Sequence, residues 1–266
     1  MSAVLPPPAT DVPVTSVAEA IARMEAIEAA LPAGDGLACF NRLYLDVTSQ
    51  VYSELGQGFY SDPAFMSQLD VAFANLYLAV TDTGGDPAVV PLAWRPLVER
   101  RDVAGIEPIQ FALAGMNAHI NHDLPLAVVS TCAALATSPE DSQHYDDYQK
   151  VDKSLDAAEQ SLRQSFETAA ELAVDRHVSA VATLLCNWTI NSARDLAWNN
   201  AQLLWAVRND PLARGLFLDS LAASTALATR MLLVAVLEVA RIGPGRHSGW
   251  CRNHRNPVRW SRHQPE

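Results

Sequence analysis

The sequence predicts an all-α fold, a single-domain bundle of about eight or nine helices. Apolar residues recur at helical spacing in one segment after another, and helix-start and helix-stop residues fall between those segments. No stretch alternates with the two-residue period of a strand, and there is no internal repeat and no Gly-rich phosphate loop.

The elements follow in order. Residues 1–15 are Pro-rich and read as a loose leader ahead of the helical body. Ser16 to Glu19 has capping-box spacing, and Val17, Ile21, Met24, Ile27 and Leu31 keep one helical face until Pro32-Ala-Gly34 stops it. A second helix spans about 37–55 and ends at Gly56 and Gly58. Ser61-Asp62-Pro63 starts a third, with Phe65, Leu69, Phe73, Leu76 and Val80 as its buried stripe. Gly84-Gly85-Asp86-Pro87 is a turn, followed by a short helix around Trp94 and Leu97. Two helical stretches, 107–122 and 124–136, meet at GMNAHINHDLPLAVV, residues 115–129. A polar loop, 138–144, precedes a long amphipathic helix from Tyr148, and helices at roughly 176–208 and 211–242 complete a body running from 16 to 242.

The last residues, 243–266, are a separate basic tail that reads as disordered. His247, Cys251, His254 and His263 bring zinc-ligand types there, but without a second tight ligand pair or an apolar core around them.

Composition limits the function. A chain of 266 residues that is 49% hydrophobic can bury a substantial core. Its net charge of −11 argues against a nucleic-acid partner, because phosphate binding calls for basic surface. The four cysteines, Cys39, Cys132, Cys186 and Cys251, are scattered without a CxxC, which favours free thiols and a cytoplasmic location. No secretory n-region and h-region are visible at the start. The apolar run Leu216–Ile242 is interrupted by Asp219, Arg230 and Glu238, so a buried bundle helix is expected rather than a membrane span.

The candidate site is the HINHD motif. On a helix of 100° per residue, Ile109, Leu113, Met116 and Ile120 form the core face, and His119 and Asp123 share one flank of it, with His122 further round. Two imidazoles and a carboxylate are ligand types for a divalent metal such as zinc, iron or manganese. The same three could move protons without metal, Asp123 orienting an imidazole. Against both stands a capping role for Asp123 two residues before Pro125, with Asn117 and Asn121 satisfying backbone groups at the break. That alternative explains Asp123 well and the histidines poorly.

A second group supports a ligand site. Asn187, Asn191, Arg194, Trp198, Gln202 and Trp205 share one side of their helix, opposite Leu185, Leu196 and Leu203. Amides, an arginine and two tryptophans suit a semi-buried cavity better than a solvated face, so Asn191, Arg194 and Trp198 are expected to line the cavity that holds the histidines, unless the stripe is an oligomer contact. Arg194 is expected to balance Asp123, and Asn191 to fix an imidazole tautomer. Two weaker signals remain. Asp146, Asp147 and Asp152 faintly resemble the Mg2+-binding acidic helix of class I terpene synthases, but acids are expected at a helix start and no clean second metal motif follows. Asp70, beside the core stripe of its helix with Tyr77 on the same side, reads as a satisfied buried acid.

FNRLYLDVT (40–48), LDVAFANLYLAV (69–80), GMNAHINHDLPLAVV and ARDLAW (193–198) together resemble an uncharacterised family of bacterial proteins, common in actinomycetes and known as a domain of unknown function. The resemblance covers roughly residues 16–240 and rests chiefly on HINHDLP. It implies a helical, non-secreted protein and brings no activity, cofactor or site residue with it. The basic tail departs from that pattern. Two functions remain open: an enzyme, metal-dependent or not, acting on a small molecule through His119, His122 and Asp123, or a non-enzymatic binding or interaction protein with those residues as a buried network.

Overall fold

The computed structural model describes residues 12–151, 155 and 190–234. Among them every regular element is helical: α1 (Val17–Ala30), α2 (Gly36–Leu55), α3 (Pro63–Asp82), α4 (Arg95–Arg100), α5 (Pro108–Ala118), a π-helical turn (His119–Asp123), α6 (Leu124–Ala134), α7 (Ser142–Lys150), α8 (Ile190–Ala206) and α9 (Pro211–Leu232). No helix of the described residues is long and apolar enough to cross a membrane.

Side-chain caps set most starts. Ser16 Oγ accepts the Glu19 N–H at 3.2 Å, while the Glu19 carboxylate takes the Thr15 N–H at 2.7 Å, one residue before the position a capping box would use. Asp35, Asp62, Asp141 and Asp210 cap α2, α3, α7 and α9, each accepting a backbone N–H two or three residues on. The end of the expected leader is docked rather than loose: Val14 is buried, and its N–H and C=O both bond the Asn75 side chain at 2.9 Å.

The α5–π–α6 rod is the centre of the bundle. α5 packs on α2 and α9, α6 packs on α3 and α8, and α1 lies across α2 and α3. Every residue from Ile109 to Ala118 is buried, so α5 has no solvent face and the expected one-sided core stripe is too narrow. The α2–α5 approach depends on two glycines. A Cβ on Gly36 would lie 2.7 Å from the Phe111 ring, and one on Gly115 would lie 2.4 Å from the Phe40 ring.

α9 ends at Leu232, ten residues short of the expected 242. Its last carbonyl region is held from the rod: Gln110 Nε2 donates to Leu232 O at 2.8 Å and to Val234 O at 3.0 Å. Asn117 also bonds α9, donating to Thr225 O and Thr229 Oγ1, and so does not serve the backbone at the helix break. Most of the long helix expected from Tyr148, the start of the 176–208 helix, Asn187, Leu185, Asp152, Cys186, residues 1–11 and the tail with Cys251 and its histidines lie outside the described residues.

Candidate functional site

Local chemistry explains the π turn. Pro125 has no N–H, and its ring crowds the carbonyl four residues back, so regular α-helical bonding cannot continue through it. The chain responds by widening one turn: the Leu124 N–H bonds His119 O, five residues earlier. This turn sets His119 and Asp123 over one another and turns both inward, where each is only 2% exposed.

Asp123 is the hub. Its Oδ2 lies 3.0 Å from His119 Nδ1 and accepts the Trp94 indole N–H at 2.8 Å, while Oδ1 lies 2.6 Å from His122 Nδ1. The capping alternative fails here, since the Asp123 side chain makes no cap hydrogen bond. Burial works to raise the Asp123 pKa, but the hydrogen bonds from both imidazoles outweigh it and hold the carboxyl below its ordinary range. Burial lowers the pKa of His119 against the opposing pull of Asp123. At neutral pH the pair is therefore a carboxylate and a neutral imidazole. An ionised carboxylate only accepts, so each Nδ1 carries a proton, and the Nε2 of the neutral His119 is left as an acceptor.

Around His119 the surroundings are aromatic. Phe73 stacks on the imidazole at 3.5 Å between centroids and 5° between planes, and Tyr44 meets it edge-on at 4.5 Å. His119 Nε2 is buried with no hydrogen-bond partner. His119 borders a cavity of about 80 Å³ that is walled mainly by apolar side chains of α2 and α3, with Tyr44, Asp70 and Arg194 among the polar residues on it. Arg194 thus shares the cavity with His119, but it does not balance Asp123. Its guanidinium lies over the Tyr148 ring at 4.0 Å and donates to Tyr148 O.

The other expected site residues are elsewhere. His122 supports Asp123 from the more open side, with its side chain 13% exposed, and does not line the cavity. Asn191 is half-buried on α8 and is not on the cavity wall, so it fixes no imidazole there; Asp123 does. Trp198 packs on Tyr145 and Tyr148, and donates with Gln202 to Pro139 O, anchoring the loop before α7. The polar side of α8 does face inward, while Leu196 and Leu203 are exposed.

The acidic motif is structural where it is described. The Asp147 carboxylate accepts the Ser61 and Asp62 N–H groups and the Lys150 ammonium, which leaves it no role toward a diphosphate. Asp195 is likewise taken, by Gln149 and Tyr145. For a metal, both Asp123 oxygens and both Nδ1 atoms are committed to one another, so the three side chains do not turn free lone pairs toward one point. Among the described residues no group of three or more His, Cys, Asp or Glu side chains is placed to hold an ion.

Sequence reasoning missed Trp94 as a partner of Asp123, and Phe73 and Tyr44 as the rings that hold His119. A buried indole needs an acceptor, which was the available signal for Trp94. Nothing in the spacing of α2 and α3 tells which aromatic meets the imidazole.

Fold and site together define an all-helical protein built around a buried imidazole–carboxylate pair at the edge of a small cavity. The chain belongs to the family of unknown function DUF5995, the match spanning residues 17–235. No curated protein and no solved structure matches it.

Proposed function

We propose that the cavity beside His119 takes a small, largely apolar molecule, and that His119 acts on it as hydrogen-bond acceptor and general base. The observation that carries this reading is the buried Nε2 of His119, which has no partner although Nδ1 is fixed by Asp123. Leaving such an atom unpaired costs about 1–3 kcal/mol, a cost that a ligand hydroxyl or N–H would offset. Burial keeps the imidazole neutral, the form a general base needs, and Asp123 would stabilise the imidazolium once a proton is taken. At about 80 Å³ the cavity exceeds the ~15 Å³ that one water requires and is smaller than the ~150 Å³ that takes benzene. The molecule, or the part of it that enters, is correspondingly small.

A second reading has its own support. Asp123 ties Trp94 to the π turn while Phe73 of α3 stacks on His119, so the cluster also serves as a polar tie between elements. The two readings separate in one experiment. Protein labelled with 15N at histidine is titrated with n-butanol, and the His119 Nε2 resonance should move as the alcohol donates to it. His119→Ala should lose binding while keeping its helical circular dichroism. A silent Nε2 resonance together with collapse of the variant would select the structural role. Dialysis against a chelator should change neither binding nor melting, since Asp123 and the two imidazoles spend their facing atoms on one another; stoichiometric metal lost with the histidines would refute this.

A further inference from the structure

We propose that Asp70 is the second ligand-reading group of this cavity, donating from its protonated carboxyl to a carbonyl-type acceptor on the molecule whose hydroxyl or N–H meets His119. The inference rests on the reading of His119 given above and extends it to a ligand class: a small uncharged hydroxy- or amino-carbonyl compound.

Asp70 lies one turn before Phe73 on α3, and the Phe73 ring is the one stacked on the imidazole. Asp70, His119 and Tyr44 all line the same cavity. Two of them bring to it a buried polar atom without a hydrogen-bond partner, Asp70 Oδ2 and His119 Nε2, while the Tyr44 hydroxyl pairs with Thr48. Native interiors leave few such atoms, and two on one mainly apolar wall have a common explanation in a polar guest. The groups about Asp70 are the Tyr44 phenol from α2, the Tyr60 phenol before α3, the neutral His119 from the π turn and Arg194 from α8. Tyr60 is already spent on Glu54, and Arg194 holds Tyr148 O. Burial pushes the Asp70 carboxyl up to about 7, so below that pH it is present mainly as a hydrogen-bond donor. An acceptor at His119 and a donor at Asp70 read opposite groups. The wall is mainly apolar and burying a charge against it is costly, so the site favours a neutral molecule.

The test uses the full chain and three probes by NMR titration: hydroxybutanone (a β-hydroxyketone), butanone without the hydroxyl, and n-butanol without the carbonyl. Hydroxybutanone should bind about five- to tenfold more tightly than n-butanol at pH 6, the increment of one hydrogen bond to a buried group. That advantage should disappear by pH 8 as Asp70 ionises. In Asp70→Asn it should persist at both pH values, because the amide donates throughout. Equal binding of hydroxybutanone and n-butanol, an advantage that does not change with pH in the wild-type protein, or no binding of any probe overturns the Asp70 assignment. Equal binding of hydroxybutanone and butanone overturns the His119 reading instead, so the two failures are distinguishable.

Discussion

Oδ2 of Asp123 lies 3.0 Å from Nδ1 of His119 and accepts the indole N–H of Trp94 at 2.8 Å, so one carboxylate oxygen joins the π turn to the segment that opens α4. The arrangement couples function to folding. The groups that fix the His119 tautomer also hold the bundle together, and Asp123 and Trp94 are both buried.

Asp123→Asn should therefore destabilise strongly. The amide places an NH₂ against N–H donors and removes the charge that three hydrogen bonds were built around, a loss of about 2–4 kcal/mol. Trp94→Phe removes one donor to that charge and should cost about 1.5–3 kcal/mol. Denaturant melts measure both. A change below ~0.5 kcal/mol for Asp123→Asn would mean that the carboxylate is not the hub.

Gly115→Ala tests the packing that carries the site. Its Cβ would stand 2.4 Å from Phe40, whose ring also touches His119 at 5.6 Å between centroids. Overpacking of this kind costs about 1–3 kcal/mol. Adding Phe40→Leu to Gly115→Ala should recover part of that loss, since the ring is what the methyl strikes. Additive losses in the double variant would show that the two positions do not meet.

Much of this molecule was legible in the sequence. The helix starts at Asp62-Pro63 and Asp210-Pro211 were readable because capping chemistry is local. The inward placement of His119 and Asp123 followed from their spacing against Met116 and Ile120, and the apolar composition of α5 left them no outer face. What could not be read depends on chain separation. The bond of Asp123 to Trp94 and the ring of Phe73 on His119 join segments far apart in the chain, and no local pattern encodes their approach. Asp70 was misjudged for the same reason: its surroundings come from other helices, and they leave Oδ2 unpaired rather than satisfied. The end of α9 was overestimated because apolar periodicity continues past Leu232, while the stop is made by Gln110 from another helix.

The thiols of Cys39 and Cys132 are free and buried, as their scattered spacing led one to expect. Burial raises both, Cys132 to about 12, so neither is a thiolate at neutral pH. Thiol-specific reagents should label these two only on the timescale of unfolding, with full labelling in denaturant. Rapid labelling of Cys132 in the native protein would mean that the α6 packing opens readily.

Stability should depend on pH with opposite signs from the two sides of the cavity. His119 has a folded pKa below its ordinary 6.5, so the unfolded chain binds more protons there and stability is lost as pH falls below 6.5. Asp70 has a folded pKa of about 7 against an ordinary 3.8, so the folded chain binds more protons and stability is lost as pH rises from about 4 toward 7. A shift of that size corresponds to about 4 kcal/mol at one unit per 1.4 kcal/mol, and solvent near a half-buried residue reduces it to the order of 1–3 kcal/mol. Asp70→Asn removes only the second dependence. Its melting temperature relative to wild type should therefore climb between pH 4 and pH 8, with the acid-side loss from His119 unchanged. A difference between the two proteins that stays constant over that range would show that Asp70 is ionised in the folded state throughout, and would remove the donor on which recognition of a carbonyl depends.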